Sequence, residues 1–346
     1  MTGGRSSRAR SQRAHESSMA TRNPWGGFES KGLAGGRQLQ DLQVAVNMRA
    51  PLILTLCINY HNEEETAGFV RGLLRQEGDI NQKVVIVDNT MPPRFDSPLR
   101  RITESCGRVS VLNPDGNLGY MRGAAWGLRE YVNRFGLPDW VVVSNTDIEM
   151  MQPDFFSSLI KFYNSAPPAV IAPAIFSELS AQNLNPYMET RPTRLRMRSY
   201  KLLFHYYPVS SSYHALAFAK AVLHKKCRNL WSMVSGKVCR APSSERRALP
   251  PRPIYAPQGS FVVFSRRYFE CGGNLDHGAF LFGEELFVAE TVRRLGLSVV
   301  YDPRLEVVHK EHATLSTYTS RQLLAYQREA TDYVTKTFFS GSAIPA

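Results

Sequence analysis

The chain has 346 residues, enough to bury a sizeable core, and its 43% hydrophobic and 21% charged residues read as globular rather than fibrous or disordered. Five scattered cysteines (Cys57, Cys106, Cys227, Cys239 and Cys271) show no zinc-finger spacing and point to a reducing compartment, not a disulfide framework. The net charge of +12 sits almost wholly between Arg191 and Arg252, where fourteen Lys or Arg face one acid, Glu245, so a local docking surface is expected rather than nucleic-acid binding.

Residues 1–50 are rich in Gly, Ser and Arg without apolar periodicity and read as a disordered tail. No apolar run has bilayer-spanning length and no signal core opens the chain, which predicts a cytoplasmic protein. From Pro51 an α/β alternation begins. Leu52–Ile58 predicts a buried strand, Glu63–Gln76 a helix, Lys83–Val87 a strand and Arg108–Leu112 another. Gly119–Phe135 predicts a helix, Trp140–Val143 a fourth strand, Asp154–Asn164 a helix and Ala169–Ala172 a fifth strand. This spacing implies a parallel sheet with crossover helices. The alternation stops at Phe176 and resumes with strands at Ile254–Ala256 and Ser260–Phe264. A helix over Glu285–Leu295, strands at Ser298–Tyr301 and Glu306–Val308, and a polar helix over Ser320–Phe338 complete the chain.

Several polar motifs fall where apolar runs end, the place at which open α/β sheets bind ligands. Ser144-Asn145-Thr146-Asp147 follows the fourth strand, and Asp147 there can hold a divalent cation and, through it, a diphosphate; as pure structure it is a helix N-cap. Asp88-Asn89 ends the second strand, where a carboxylate can accept from the N–H of a pyrimidine base or simply shape a turn before Pro92-Pro93. Asn113–Gly119 is a turn leading into a helix, and Arg122 in its first turn opposes the helix dipole unless an anion is bound there or the side chain is solvated. Glu284 and Glu285 open another helix; consecutive helical residues diverge by about a hundred degrees, so one can serve as a general base while its neighbour raises its pKa. His309 ends a late strand and can complete an octahedral site begun by Asp147 and phosphate oxygens, with His312 as the alternative ligand.

Taken together, these pieces resemble the family 2 glycosyltransferases of the GT-A fold, especially bacterial enzymes of surface-polysaccharide assembly. The matching motifs stand in family order: Thr55–Asn62, Val87-Asp88-Asn89, Asn117-Leu118-Gly119, Ser144–Asp147, Gln258-Gly259-Ser260-Phe261, Phe282-Gly283-Glu284-Glu285, and His309 with Ser316 behind it. The resemblance covers residues 52–176 and 254–318. It implies a Rossmann-type, mostly parallel sheet flanked by helices, with a basic helical insertion. It implies a nucleotide-sugar-binding half at 51–176, an insertion near the acceptor site at 177–253, an acceptor and catalytic half at 254–318 and a terminal helix at 319–346.

By the same resemblance, Asn59, Asp88, Asn89, Asn117, Gly119, Arg122, Asn145 and Thr146 would serve the nucleotide donor, and Gly259 and Ser260 the acceptor side. Asp147 and His309 would bind Mg2+ or Mn2+, and Glu284 or Glu285 would be the base of an inverting transfer from a UDP- or dTDP-sugar to a glycan or polyprenyl-linked acceptor. Two departures stand out. The acidic triplet begins with Asn145, leaving Asp147 as its one charged ligand, and Ala124-Ala125-Trp126 replaces asparagines frequent in relatives. A catalytically inactive sugar-nucleotide-binding relative is the alternative. A nicotinamide dehydrogenase is excluded because no G-x-G-x-x-G follows the first strand.

Arg198–Trp231 mixes aromatic, aliphatic and cationic residues, and His214–Leu230 has the pattern of an amphipathic helix. Such a face suits an anionic membrane, which predicts peripheral attachment to the inner face of the plasma membrane; the alternative is a subdomain whose apolar residues face the core.

Overall fold

The computed structural model describes residues 50–92, 97–163, 165–180, 182–206, 249–311 and 320–340, with isolated positions between 208 and 223. The tail expected over 1–50 lies outside the described residues except for Ala50, as do His312, Ser316 and most of the His214–Leu230 stretch.

The first half follows the predicted alternation. Strand β1 (Leu52–Asn59) is buried at every residue because it lies between β2 (Asn81–Asp88) and β4 (Trp140–Ser144), parallel to both. Strand β3 (Val109–Leu112) extends the sheet beyond β2, also parallel. Three helices connect these strands. Helix α1 (Glu63–Leu74) places Glu63, Glu64 and Glu65 at its positive end and buries Phe69, Val70 and Leu73. Helix α2 (Pro98–Ser105), which the apolar pattern does not reveal, has proline at N1 and Ser97 as a side-chain cap. Helix α3 (Met121–Phe135) ends where Gly136 adopts φ 81°. The strand alternation sends Leu54, Leu56 and Ile58 into one core layer and Ile53 and Cys57 into the other.

The second half is mixed. Its elements are β5 (Ile148–Glu149), α4 (Phe155–Tyr163), β6 (Val170–Ser177), α5 (Arg194–His205), β7 (Arg252–Ile254), β8 (Phe261–Ser265), α6 (Arg266–Glu270), α7 (Glu284–Arg294), β9 (Val299–His309) and α8 (Ser320–Val334), which runs into a π-helical turn at Thr335–Phe339. The strand order is β3-β2-β1-β4-β8-β6-β9-β5, with β7 also paired to β9. Strand β8 runs antiparallel to both β4 and β6, so the sheet is parallel through β4 and mixed beyond it. A buried apolar run carries no record of strand direction, which is why the sequence alone points only to a parallel sheet.

Two strands expected at Ser298–Tyr301 and Glu306–Val308 are one strand, β9. Its pairing with β6 shifts register between Pro173 and Ala174, so that Pro173 faces Asp302 and Ala174 faces Glu306. The Asp302-Pro303 punctuation is absorbed as a bulge, with buried Asp302 held by Arg304 at 2.8 Å and by the Tyr163 hydroxyl at 2.6 Å. The strand expected at Ile254–Ala256 lies instead at Arg252–Ile254, on the edge of β9.

Candidate active site

The strand ends of both halves surround one cavity of about 510 Å³. Its lining includes Asn89 after β2, Asn117 and Gly119 before α3, Asn145, Thr146 and Asp147 after β4, Ser260 before β8, Glu284 and Glu285 at the start of α7, and His309 at the end of β9. Residues scattered over more than two hundred positions therefore share one space, of the size that holds a small organic ligand.

Strand pairing explains the most telling contact. Ile148 of β5 is paired with His309 of β9, and the Lys310 N–H donates to the Asp147 carbonyl at 2.9 Å. This ladder brings His309 Nε2 to 3.2 Å from Asp147 Oδ1, with both side chains buried. Among the described residues, Nδ1 of His309 is buried without a hydrogen-bond partner. A carboxylate oxygen and an imidazole nitrogen lining one cavity are suitable donors for Mg2+ or Mn2+. Among the described residues no group of three or more His, Cys, Asp or Glu is arranged to hold a metal.

The turn before α3 is preorganised. Asn117 Oδ1 accepts from the Gly119 N–H at 2.9 Å, and Asn89 Nδ2 donates to the Gly119 carbonyl at 3.0 Å. Gly119 has φ 78°, and a Cβ there would lie 2.1 Å from the Phe280 carbonyl oxygen, so only glycine fits. Tyr120 follows, its hydroxyl donating to the Gly259 carbonyl at 3.1 Å. That bond ties the turn to the segment that leads through Ser260 into β8. Burial, with Glu284 and Asp147 adding repulsion, raises the Tyr120 pKa well above the usual phenol value, so Tyr120 stays a neutral donor.

The two glutamates sit where α7 begins, after Phe282 and Gly283 adopt positive φ of 68° and 81°. His277 steadies that bend. Burial lowers its pKa to about 4, so its neutral ring donates from Nε2 to the Phe282 carbonyl at 2.8 Å. Gly259 lies against the pair, since a Cβ there would come within 2.5 Å of Glu284 Cγ and 3.2 Å of Glu285 Oε1. Desolvation and the neighbouring Glu285 charge push the Glu284 carboxyl up to about 8, and desolvation raises Glu285 as well. Carboxyls raised in this way, in a cleft, are suited to proton transfer near neutral pH.

Four residues named from the sequence, Asn59, Asp88, Arg122 and Gly259, lie outside this lining. Asn59 and Asp88 are buried beside it, Asn59 Nδ2 donating to Asp88 Oδ1 at 2.8 Å while the Thr90 N–H donates to the same oxygen at 3.0 Å. Arg122 is exposed and does not line the cavity, so solvation accounts for its charge at the start of α3. Gly259 acts through its lack of a side chain. Conversely, Tyr60, Tyr120, Leu281, Phe282 and Glu311 line the cavity although the sequence assigns them no role of their own. Tyr120 carried a readable signal, because it directly follows the Asn-Leu-Gly turn; Glu311, bonded by Ser177, carried none beyond its closeness to His309.

A second cavity, of about 300 Å³, adjoins the first. Met197, Tyr200 and Phe204 of α5 form one wall, Gln327, Ala330 and Thr331 of α8 another, and Phe282 and Glu285 line both cavities.

No curated protein matches the chain. Among solved structures, GalNAc-T7 with UDP, GalNAc and Mn2+ superposes with a TM-score of 0.51 at 10% identity, covering 76% of this chain and 44% of that one. The chain thus spans less than half the length of that neighbour, and a likeness at this identity concerns the fold. A mannosyltransferase from Pyrobaculum calidifontis in complex with GDP-Man and Mn2+ gives a TM-score of 0.44 at 14% identity, covering 86% of this chain and 67% of that one. The family model described as Glycosyl transferase family 2 matches residues 55–273, well over half the sequence, and takes in every strand end from β1 to β8 around the principal cavity. With that match and a GT-A neighbour for its mixed sheet, the chain belongs to glycosyl transferase family 2.

Proposed function

We propose that this protein is an inverting glycosyltransferase that moves a hexosyl or deoxyhexosyl group from a UDP- or dTDP-sugar to a hydroxyl of a glycan or lipid-linked glycan. The observation that carries the reading is that Glu285 lines two adjoining cavities at once. One holds the Asp147–His309 pair and receives the donor; the other, walled by α5 and α8, receives the acceptor. A base must touch the space of the acceptor and face the donor carbon, and Glu285 meets both demands. Glu284 lies in the first cavity and not in the second, and its own carboxyl is raised by burial and by the Glu285 charge beside it.

Glu285 takes the proton of the acceptor hydroxyl as its oxygen bonds to the anomeric carbon from the face opposite the diphosphate. The bond from that carbon to the diphosphate oxygen breaks, and the nucleoside diphosphate leaves with the electron pair. A single displacement of this kind inverts the anomeric centre and needs no second nucleophilic carboxylate. Asp147 and His309 would hold Mg2+ or Mn2+, which supplies positive charge where the leaving group becomes more negative. The GalNAc-T7 neighbour contains UDP and Mn2+, which favours this donor class. Asn89, Asn117, Asn145 and Thr146 offer neutral hydrogen-bonding groups to the nucleotide and sugar. A place in bacterial surface-polysaccharide assembly, with the protein peripheral on the cytoplasmic membrane face, is the setting this reading expects. Among the described residues no helix is long and apolar enough to cross a membrane.

Nucleotide release measured across UDP-, dTDP- and GDP-sugars, with and without Mn2+, tests the proposal. We expect metal-dependent release with a UDP- or dTDP-sugar that is lost in Asp147→Ala. Full release in the presence of a chelator overturns the metal assignment. Turnover unchanged in both Glu285→Gln and Glu284→Gln overturns the base.

A further inference from the structure

Helix α5 has two faces. Successive residues turn by about 100°, which places Met197, Tyr200 and Phe204 together against the second cavity. Leu195, Leu202 and the C-cap Tyr206 fall on the opposite side and are 76%, 64% and 59% exposed. Arg194 and Arg198 flank that side and are exposed too, while Lys201 turns towards α8 and pairs with Asp332 at 3.0 Å. The described positions that follow continue the theme. Val209, Leu216 and Leu223 are helical, seven residues apart and exposed. Most of the large hydrophobic side chains exposed among the described residues lie in this one stretch. The same stretch lies in the window that carries the net positive charge of the chain.

An apolar stripe in water is unfavourable unless something covers it, and its cationic border selects what does. A neutral apolar groove would leave Arg194 and Arg198 without counter-charge. A nucleic acid would leave the leucines without a partner. An anionic bilayer satisfies both, its headgroups meeting the cations and its acyl boundary receiving the leucines.

We propose that the outer face of α5 and the helical positions to Leu223 dock the protein on an anionic lipid surface. The helix that touches lipid is then the one that walls the acceptor cavity, so the acceptor is one carried on a membrane lipid. This purpose rests on the transferase reading given above; the docking itself does not.

Flotation of the full chain with phosphatidylglycerol-rich and with pure phosphatidylcholine vesicles tests it. We expect binding to the anionic vesicles, weakened by salt, and little to the neutral ones. The double substitution Leu195→Ser, Leu202→Ser should lower binding by about tenfold or more, because both side chains leave the acyl boundary. Its thermal melt and its nucleotide release from the soluble donor should match the parent. A milder variant, Arg194→Gln with Arg198→Gln, should reduce binding and its salt dependence without touching the leucines. Equal binding to both vesicle types, no binding, or undiminished binding of both variants overturns the inference. So does concentration-dependent self-association that the leucine variant abolishes, which would make the face a contact between two copies. Vesicle binding without nucleotide release from any donor would sink the transferase reading and leave the docking standing.

Discussion

In the β1–β4 half, polar groups at the strand ends are held mainly by one another. Asn59 bridges Asp88 and Thr66 across β1, β2 and α1, and Asn89 clasps the Gly119 turn. In the later half, the chemistry-bearing groups are placed by packed elements and buried charge. Glu285 is aimed by the start of α7, and α7 is anchored through Glu290, which accepts from Arg191 at 2.6 Å, from Arg293 at 2.9 Å and from Tyr255 at 2.7 Å. Burial alone would raise the Glu290 carboxyl, but these donors hold it below the usual range, so it stays ionised. The first half is a floor whose shape follows from strand register. The second is a set of levers whose aim depends on packing over long sequence distances. Substitutions in the floor should therefore weaken donor binding, and substitutions on the levers should slow the chemical step.

The largest effect tests the contact between the halves. Asp147→Ala removes the carboxylate that meets His309 and should lower nucleotide release by about a thousandfold or more. His309→Ala should cost less, about ten- to a hundredfold, because a neutral ligand is lost and the charge remains. If His309→Ala proves as damaging as Asp147→Ala, the two halves contribute equally to that end and the division drawn here fails.

Gly259→Ala comes next. The added methyl would sit 2.5 Å from Glu284 Cγ, so the glutamates must shift. We expect kcat to fall by about a hundredfold with the donor KM nearly unchanged, since a small displacement of a base is enough for such a loss. Asn59→Ala should do the opposite. It frees Asp88 and removes the bond from Thr66 Oγ1 to Asn59 Oδ1, at 2.7 Å, and should raise donor KM by about tenfold while kcat holds. Steady-state kinetics of the two variants side by side check the contrast; a fall in kcat from Asn59→Ala would mean that floor and levers are one network.

The same division accounts for what could be read from the sequence. The parallel half is legible because each strand is a continuous buried run with a polar break at its end: Val84–Val87 before Asp88, Trp140–Val143 before Ser144. Asp147, His309 and the glutamate pair could be picked out as residues, and their meeting is what the family resemblance implies; the pairing of β5 with β9 across more than 150 positions, which makes the contact, leaves no mark in the sequence. Helix α5 escaped notice because cations interrupt its apolar positions, while its inner stripe of Met197, Tyr200 and Phe204 makes sense only opposite α8. Arg122 misled because a charge at a helix start suggests a ligand until its exposure is known.

The smallest effect sharpens the account of the levers, because stability and activity should respond to pH in opposite directions. Glu284 and Glu285 have raised pKa values in the folded protein, Glu284 to about 8. Between the ordinary carboxyl range and pH 8 the folded state therefore holds protons that the unfolded state has released. The stability linked to the pair is fully present below that range and is lost as pH rises through 8. Activity follows the reverse sense, since the base must be ionised, so kcat/KM should climb over the same interval. Glu285→Gln removes one of the two like charges. Without donor or metal, its Tm should match the parent near pH 5 and exceed it by about 1–2 °C above pH 8, if roughly 1 kcal/mol of repulsion is relieved in a chain of this size. A Tm gap that stays constant with pH would mean that the pair is not strained by its shared burial, and Glu285 would then lack the raised basicity assigned to it.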